Sequence, residues 1–169
     1  MQLKNHKLIT LTIAGLLTAI CIIGQIVCSS LPNIQPTTTI LMLTSIFISP
    51  VTSIKISCAV ILINGIMFGF GIWIPFQIIG YVVCIMMIYW LNKRITFIKA
   101  MTVTAISAFV YGFITNLSML FFIDTMQLIP CCIAAIPFDA YHCIGNIVFV
   151  SIFYYPFKYL SQKYQLRRI

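Results

Sequence analysis

Six apolar runs divide this chain, separated by short interruptions rich in proline, glycine and polar residues. The first run covers residues 8–28 and is followed by Leu31-Pro32-Asn33-Ile34-Gln35-Pro36. The two prolines, Pro32 and Pro36, fix φ twice and remove two backbone donors, so this connection is stiff and extended. A short run occupies 37–49, and Ser49-Pro50-Val51-Thr52-Ser53 turns the chain into a third run at 54–68. Next comes Gly69-Phe70-Gly71-Ile72-Trp73-Ile74-Pro75, with glycines for tight backbone and a proline as breaker. The fourth run is 76–91 and the fifth 100–122. A longer connection, 123–136, holds Asp124, Pro130, Cys131 and Cys132, and is apolar enough that part of it packs over its neighbours. Pro137 suits a first helical turn, so the sixth run is expected to start there and to end near 157.

Each run reads as a helix, and together they predict an all-α membrane protein: a six-transmembrane-helix bundle forming one domain over residues 1–169. Composition supports lipid as the main solvent. Of the 169 residues, 62% are hydrophobic and 7% charged, against roughly 45–50% and about 25% in a soluble domain. The first run has spanning length rather than the length of a short signal-peptide core, and is read as a retained helix. The second is short for a full crossing.

Charge gives the direction. All ten basic residues fall in segments that lie on one side of such a bundle: Lys4, Lys7, Lys55, Lys93, Arg94, Lys99, Lys158, Lys163, Arg167 and Arg168. Lys and Arg beside membrane spans stay cytoplasmic, so both termini are expected in the cytoplasm. Trp90, close to Lys93 and Arg94, fits an interfacial belt. The net charge of +8 is spread over span ends with no basic face, which excludes a nucleic-acid partner. Of the seven cysteines, Cys21, Cys28, Cys58 and Cys84 sit in apolar runs, where Cys behaves as a small hydrophobe. Cys131, Cys132 and Cys143 lie nearer the outer face, and no CxxC or HxxxH spacing supports a metal.

Under this topology the scarce polar groups converge outside. Asn33 and Gln35 come from the first outer connection, and Trp73 and Gln77 from the second. The last run contributes Asp139, His142 and Asn146, spaced i, i+3, i+7 and therefore on one helical face. Asp139 is expected in the first turn, where the helix dipole favours its charge. An ionised Asp at mid-bilayer costs about 3 kcal/mol, so such groups usually face a cavity or a partner. The stripe is then either a structural network, with Asp139 pairing His142 and Asn146 bonding a neighbour, or the wall of a ligand site. Trp73 is either part of that wall or an outer-belt anchor. Asn64 and Asn116 read as interhelical glue. In the first run, Ala14 with Thr18 and Gly15 with Ala19 form two small-xxx-small pairs, suited to internal packing or to docking another membrane subunit.

These residues carry a resemblance. The chain resembles, along its whole length, the S components (substrate-binding subunits) of energy-coupling factor vitamin transporters. Leu31-Pro32-Asn33-Ile34-Gln35-Pro36 is similar to the Pro-Asn stretch of a subgroup associated with cobalamin-type substrates. Gly69-Phe70-Gly71-Ile72-Trp73-Ile74-Pro75-Phe76-Gln77 is similar to its Gly-x-Gly-x-Trp-x-Pro-x-Gln stretch, with Phe70 where a polar residue is common. Asp139, His142, Gly145 and Asn146 match its Asp-x-x-His-x-x-Gly-Asn pattern.

The resemblance implies capture of a vitamin, a corrinoid above all, at the outer face of a bacterial cell membrane. It implies docking on a transmembrane T subunit that carries two cytoplasmic ATPase subunits, and no intrinsic cofactor. The chain has no Walker A sequence, so ATP hydrolysis falls to those partners. Within the same class, another vitamin or a nucleobase-like precursor is the alternative ligand. Outside it, an intramembrane enzyme would use Asp139 and His142 as acid and base, but these two residues lack a nucleophile or metal set. An assembly subunit without a ligand would not need converging polar groups.

Overall fold

In a computed structural model of the protein, residues 2–91 and 95–166 are described, with side chains from residue 7 onward. Lys93, Arg94, Arg167, Arg168 and the Lys4 side chain, all counted in the charge argument, lie outside the described residues. The described chain is helical throughout: α1 (Gln2–Val27), α2 (Thr37–Phe47), α3 (Pro50–Phe68), α4 (Trp73–Trp90), α5 (Phe97–Asn116), a short 3-10 turn (Leu117–Phe121) and α6 (Thr125–Lys163). Five of these segments are long and apolar enough to cross a membrane, and α2 is the exception.

The α2 helix differs most from a conventional span. Its 11 residues extend about 16 Å at 1.5 Å per residue, about half of a ~30 Å hydrocarbon layer. All of them are buried, and α2 touches every other α-helix. It is a central peg around which longer helices stand. Its sequence, Thr-Thr-Thr-Ile-Leu-Met-Leu-Thr-Ser-Ile-Phe, brings five hydroxyls into that interior. Thr44 Oγ1 donates to the Ile40 carbonyl at 2.7 Å, and Ser45 Oγ to the Ile85 carbonyl of α4 at 3.3 Å. From outside the peg, Ser53 Oγ donates to the Leu41 carbonyl, and Ser161 Oγ to the Phe47 carbonyl.

Several helix limits depart from the sequence expectation, each for a local reason. The α3 helix starts at Pro50, not near 54: Ser49 caps it by accepting the Thr52 N–H at 3.1 Å, and Pro50 occupies the first turn, where its missing donor costs nothing. The α4 helix starts at Trp73 rather than 76, and α5 at Phe97, with Thr96 accepting the Lys99 N–H at 3.3 Å. The largest correction concerns α6. It is one helix of 39 residues that absorbs the 123–136 connection and carries Pro130, Pro137 and Pro156 inside it. Pro137 does not begin a helix, and Asp139 lies well past the first turn, so the helix-start dipole does not stabilise it. A proline removes a single backbone bond, and neighbouring helices hold the remaining ladder in line.

Contacts across the bundle define two ends. At one, Phe47 of α2, Phe97 of α5 and Tyr154 of α6 pack edge to face, and Tyr154 donates to the Ile95 carbonyl at 3.2 Å. Lys55, Lys99, Lys158 and Lys163 belong to helix segments that begin or end there, and all four are exposed. The other end carries the connections after α1 and α3, which contain no charged residue.

Truncating the peg should therefore cost far more than truncating the perimeter. Ile40→Ala, at a fully buried site, is expected to destabilise by about 2–5 kcal/mol. Ile66→Ala, at a site 75% exposed, should leave the thermal midpoint of the detergent-solubilised protein nearly unchanged. Equal shifts would show that α2 is not the packed centre.

Candidate functional site

The end opposite Lys55, Lys99, Lys158 and Lys163 holds a cleft of about 340 Å³ between α1, α3 and α4. Each side of it follows from local sequence. After α1 the chain doubles back: Asn33 adopts φ +58°, a left-handed conformation that Asn tolerates better than most residues. Its Nδ2 donates to the Phe138 carbonyl of α6 at 3.1 Å, and Ile34 lies against Gly145. That fold-back presents Gln35 to the cleft. On the other side Gly69, at φ +97°, turns the chain out of α3. Gly71 then leaves room for the Trp73 indole, which a Cβ there would overlap. From Trp73 the α4 helix places Gln77 and Tyr81 at successive turns on one face, and all three line the cleft.

The floor is aromatic. Tyr81 and Tyr111 stack with ring centroids 4.6 Å apart, close together because Gly80 has no side chain to push Tyr111 away. The walls are amides and one hydroxyl: Gln25, Ser29, Gln35, Asn64 and Gln77. Asn64 donates to the Gln25 Oε1, joining α3 to α1. The Asn64 Oδ1 is buried without a partner among the described residues.

The stripe on α6 has a different arrangement. His142 and Asn146 are fully buried beside the peg. His142 Nε2 lies 2.8 Å from Thr38 Oγ1, while its Nδ1 has no partner among the described residues. Asn146 donates to the Thr104 carbonyl of α5 at 2.9 Å and accepts from Thr39 Oγ1 at 3.3 Å. This seam ties α2, α5 and α6 together. Asp139, also buried, makes no hydrogen bond to His142 or to any other described residue. It packs against Gly112 of α5, where a Cβ would fall on its carboxylate, and borders a second, mainly apolar hollow of about 300 Å³ between α5 and α6 with Asn116.

Of the residues singled out from sequence, the cleft thus gathers Gln35, Trp73 and Gln77. Asn33 shapes it from behind. His142 stands one layer below, its ring edge-on to Tyr111 at 5.6 Å, and Asn146 and Asp139 stand outside the lining. Gln25, Ser29, Tyr81 and Tyr111 were not anticipated. The available signal for one of them was rarity: Gln25 is the one amide within the apolar part of α1, whereas Tyr81 and Tyr111 sit in runs that hold other aromatic residues. The two small-residue pairs of α1 separate in space. Ala14 and Thr18 are half-buried, with Thr18 Oγ1 donating to the Ala14 carbonyl at 2.9 Å. Gly15 and Ala19 are exposed, and a Cβ at Gly15 would meet nothing within 4 Å.

The Asn33 fold-back offers a direct check. Asn33→Ala strains the left-handed backbone and loses the bond to Phe138, for about 2–3 kcal/mol together. Asn33→Gly loses only the bond. Thermal unfolding should therefore rank wild type above Gly and Gly above Ala; Ala matching wild type would dismiss the latch.

The chain belongs to DUF6580, a family of unknown function, whose model matches residues 3–167. No curated protein and no solved structure matches the chain.

Proposed function

We propose that this DUF6580 member is a substrate-binding membrane subunit, of the kind that serves energy-coupling factor transporters, and that it captures its ligand in the amide-lined cleft. The observation that carries the reading is the position of the cleft at the end of the bundle opposite Lys55, Lys99, Lys158 and Lys163. Lysines of this kind mark the cytoplasmic side, so the cleft opens to the outside of a bacterial cell, where a scavenged nutrient arrives. Both termini are then cytoplasmic, and the chain is a multi-pass protein of the cell membrane.

The remainder of the proposal concerns partners. Without a Walker A sequence the chain depends on others for ATP hydrolysis: a transmembrane T subunit and the two ATPases it carries. The α1 helix suits that docking. It is the least buried of the spanning helices, and Gly15 and Ala19 face outward with room for a close helix approach.

The motif resemblance selects a corrinoid as ligand. A 340 Å³ cleft lies at the lower end of small-molecule sites, so it would seat an edge of a corrinoid with the rest of the macrocycle outside. That volume favours, as a second reading, a smaller vitamin or a nucleobase-like precursor enclosed whole.

Equilibrium binding of the purified protein to cobalamin, and to a panel of smaller vitamins and nucleobases, tests both. One member should bind saturably. Trp73→Ala should weaken that binding by about 2- to 12-fold, since an aromatic contact of this kind contributes roughly 0.5–1.5 kcal/mol. No saturable binding across the panel would end the proposal. Turnover of a bound compound that disappears in His142→Ala would replace it with the enzyme reading.

A further inference from the structure

The cleft has polar walls and no charge. Its lining contains no Lys, Arg, His, Asp or Glu. The segments that supply the lining, residues 8–36, 56–91 and 100–122, carry no charged side chain anywhere along their length. Asp139, the nearest acid on α6, borders the other hollow instead. What the walls offer is carboxamides in an unusual state. Gln35 and Gln77 make no hydrogen bond to any described residue, and the Gln25 amide nitrogen is likewise unengaged because only its Oε1 is taken, by Asn64. The buried Asn64 Oδ1 is an acceptor without a donor. Only Asn64 Oδ1 among these is buried; the glutamine groups are accessible and free to exchange water for a ligand's donors and acceptors.

Resting on the capture reading above, we infer that the cleft selects uncharged ligands that present a donor and an acceptor side by side (a carboxamide, lactam or imide edge) and rejects their carboxylate or phosphate counterparts. A primary amide has two donors and an acceptor, and so complements a neighbouring amide in either orientation. A carboxylate has acceptors only. It could take hydrogen bonds from the Gln25, Gln35 and Gln77 amides, but would leave Asn64 Oδ1 facing a second acceptor. It would also bring a full charge into a half-buried site with no counter-charge. An ammonium could donate to Asn64 Oδ1 and face the aromatic lining, but it too would enter a site with no counter-charge. The stacked Tyr81 and Tyr111 rings close the floor below the amides.

The inference is tested with ligand pairs that share a skeleton and differ in charge. Suitable pairs are nicotinamide with nicotinate, and cobalamin with its derivative in which one peripheral carboxamide is hydrolysed to the acid. Affinity is measured on the full-length protein in lipid nanodiscs. In at least one pair the neutral member should bind, and its acid should bind at least about 30-fold more weakly. Gln77→Lys on α4 and Gln35→Lys on the connection each add a counter-charge and should narrow or reverse that ratio; the second variant keeps the test available if the first does not fold. An acid that binds the wild type as well as its amide overturns the selectivity while leaving ligand capture intact. Failure of every pair to bind overturns this inference; the capture reading falls with it only if the wider panel of vitamins and nucleobases also fails to bind.

Discussion

A helix with hydroxyls sealed inside an apolar bundle draws partners from its neighbours, and α2 imposes that demand on the whole molecule through Thr38, Thr39 and Ser45. Thr44 bonds within α2, and Thr37 Oγ1 has no partner among the described residues. Thr38 and Thr39 reach His142 and Asn146 of α6, and Ser45 reaches α4. Ser53 and Ser161 in turn use carbonyls of α2 that face the surrounding helices. Each bond is worth only about 0.5–1.5 kcal/mol net, but leaving one partner orphaned costs more than the bond is worth. The seam therefore sets register more than it adds stability: sliding α6 by one residue along α2 would strand His142, Asn146 and two threonines at once.

That division of labour explains where the ligand-facing surface lies. Threonines from the peg consume the inner polar groups of α6. The amides of α1, α3, α4 and the first connection have no such partners and are left to line a hollow. His142 belongs to both systems: it is anchored on Thr38 and supports the edge of Tyr111, whose face forms the cleft floor. The floor is thereby fixed by the same network that positions the helices.

Much of this was legible in the sequence. The apolar runs located the helices, and the glycine-framed Trp73 and Gln77 one turn later sit together in the lining of the cleft. Proline misled. Pro50 reads as a turn in sequence because a Ser-Pro pair fits a turn as well as it fits the cap and first residue of a helix. Pro130 and Pro137 looked like limits of a connection, although tertiary neighbours carry α6 through both. The i, i+3, i+7 spacing of Asp139, His142 and Asn146 correctly gave a shared face, but periodicity cannot say what that face meets. The α2 threonines that occupy it are uncharged and beside apolar residues, and nothing in their pattern distinguishes a buried peg from a short span.

The length of α6 has a mechanical consequence. Its 39 residues make a rod of about 58 Å, nearly twice a ~30 Å hydrocarbon layer. Set in a bilayer, as the proposed function requires, such a rod must tilt or protrude, and its preferred tilt shifts with membrane thickness. It also grips both ends of the molecule, through Phe138 to Asn33 at one and Ser161 to Phe47 at the other. Lipid composition thus reaches the fold-back that shapes the cleft through one continuous helix that can bend at its internal prolines, and thin and thick membranes would present differently shaped sites to the same ligand.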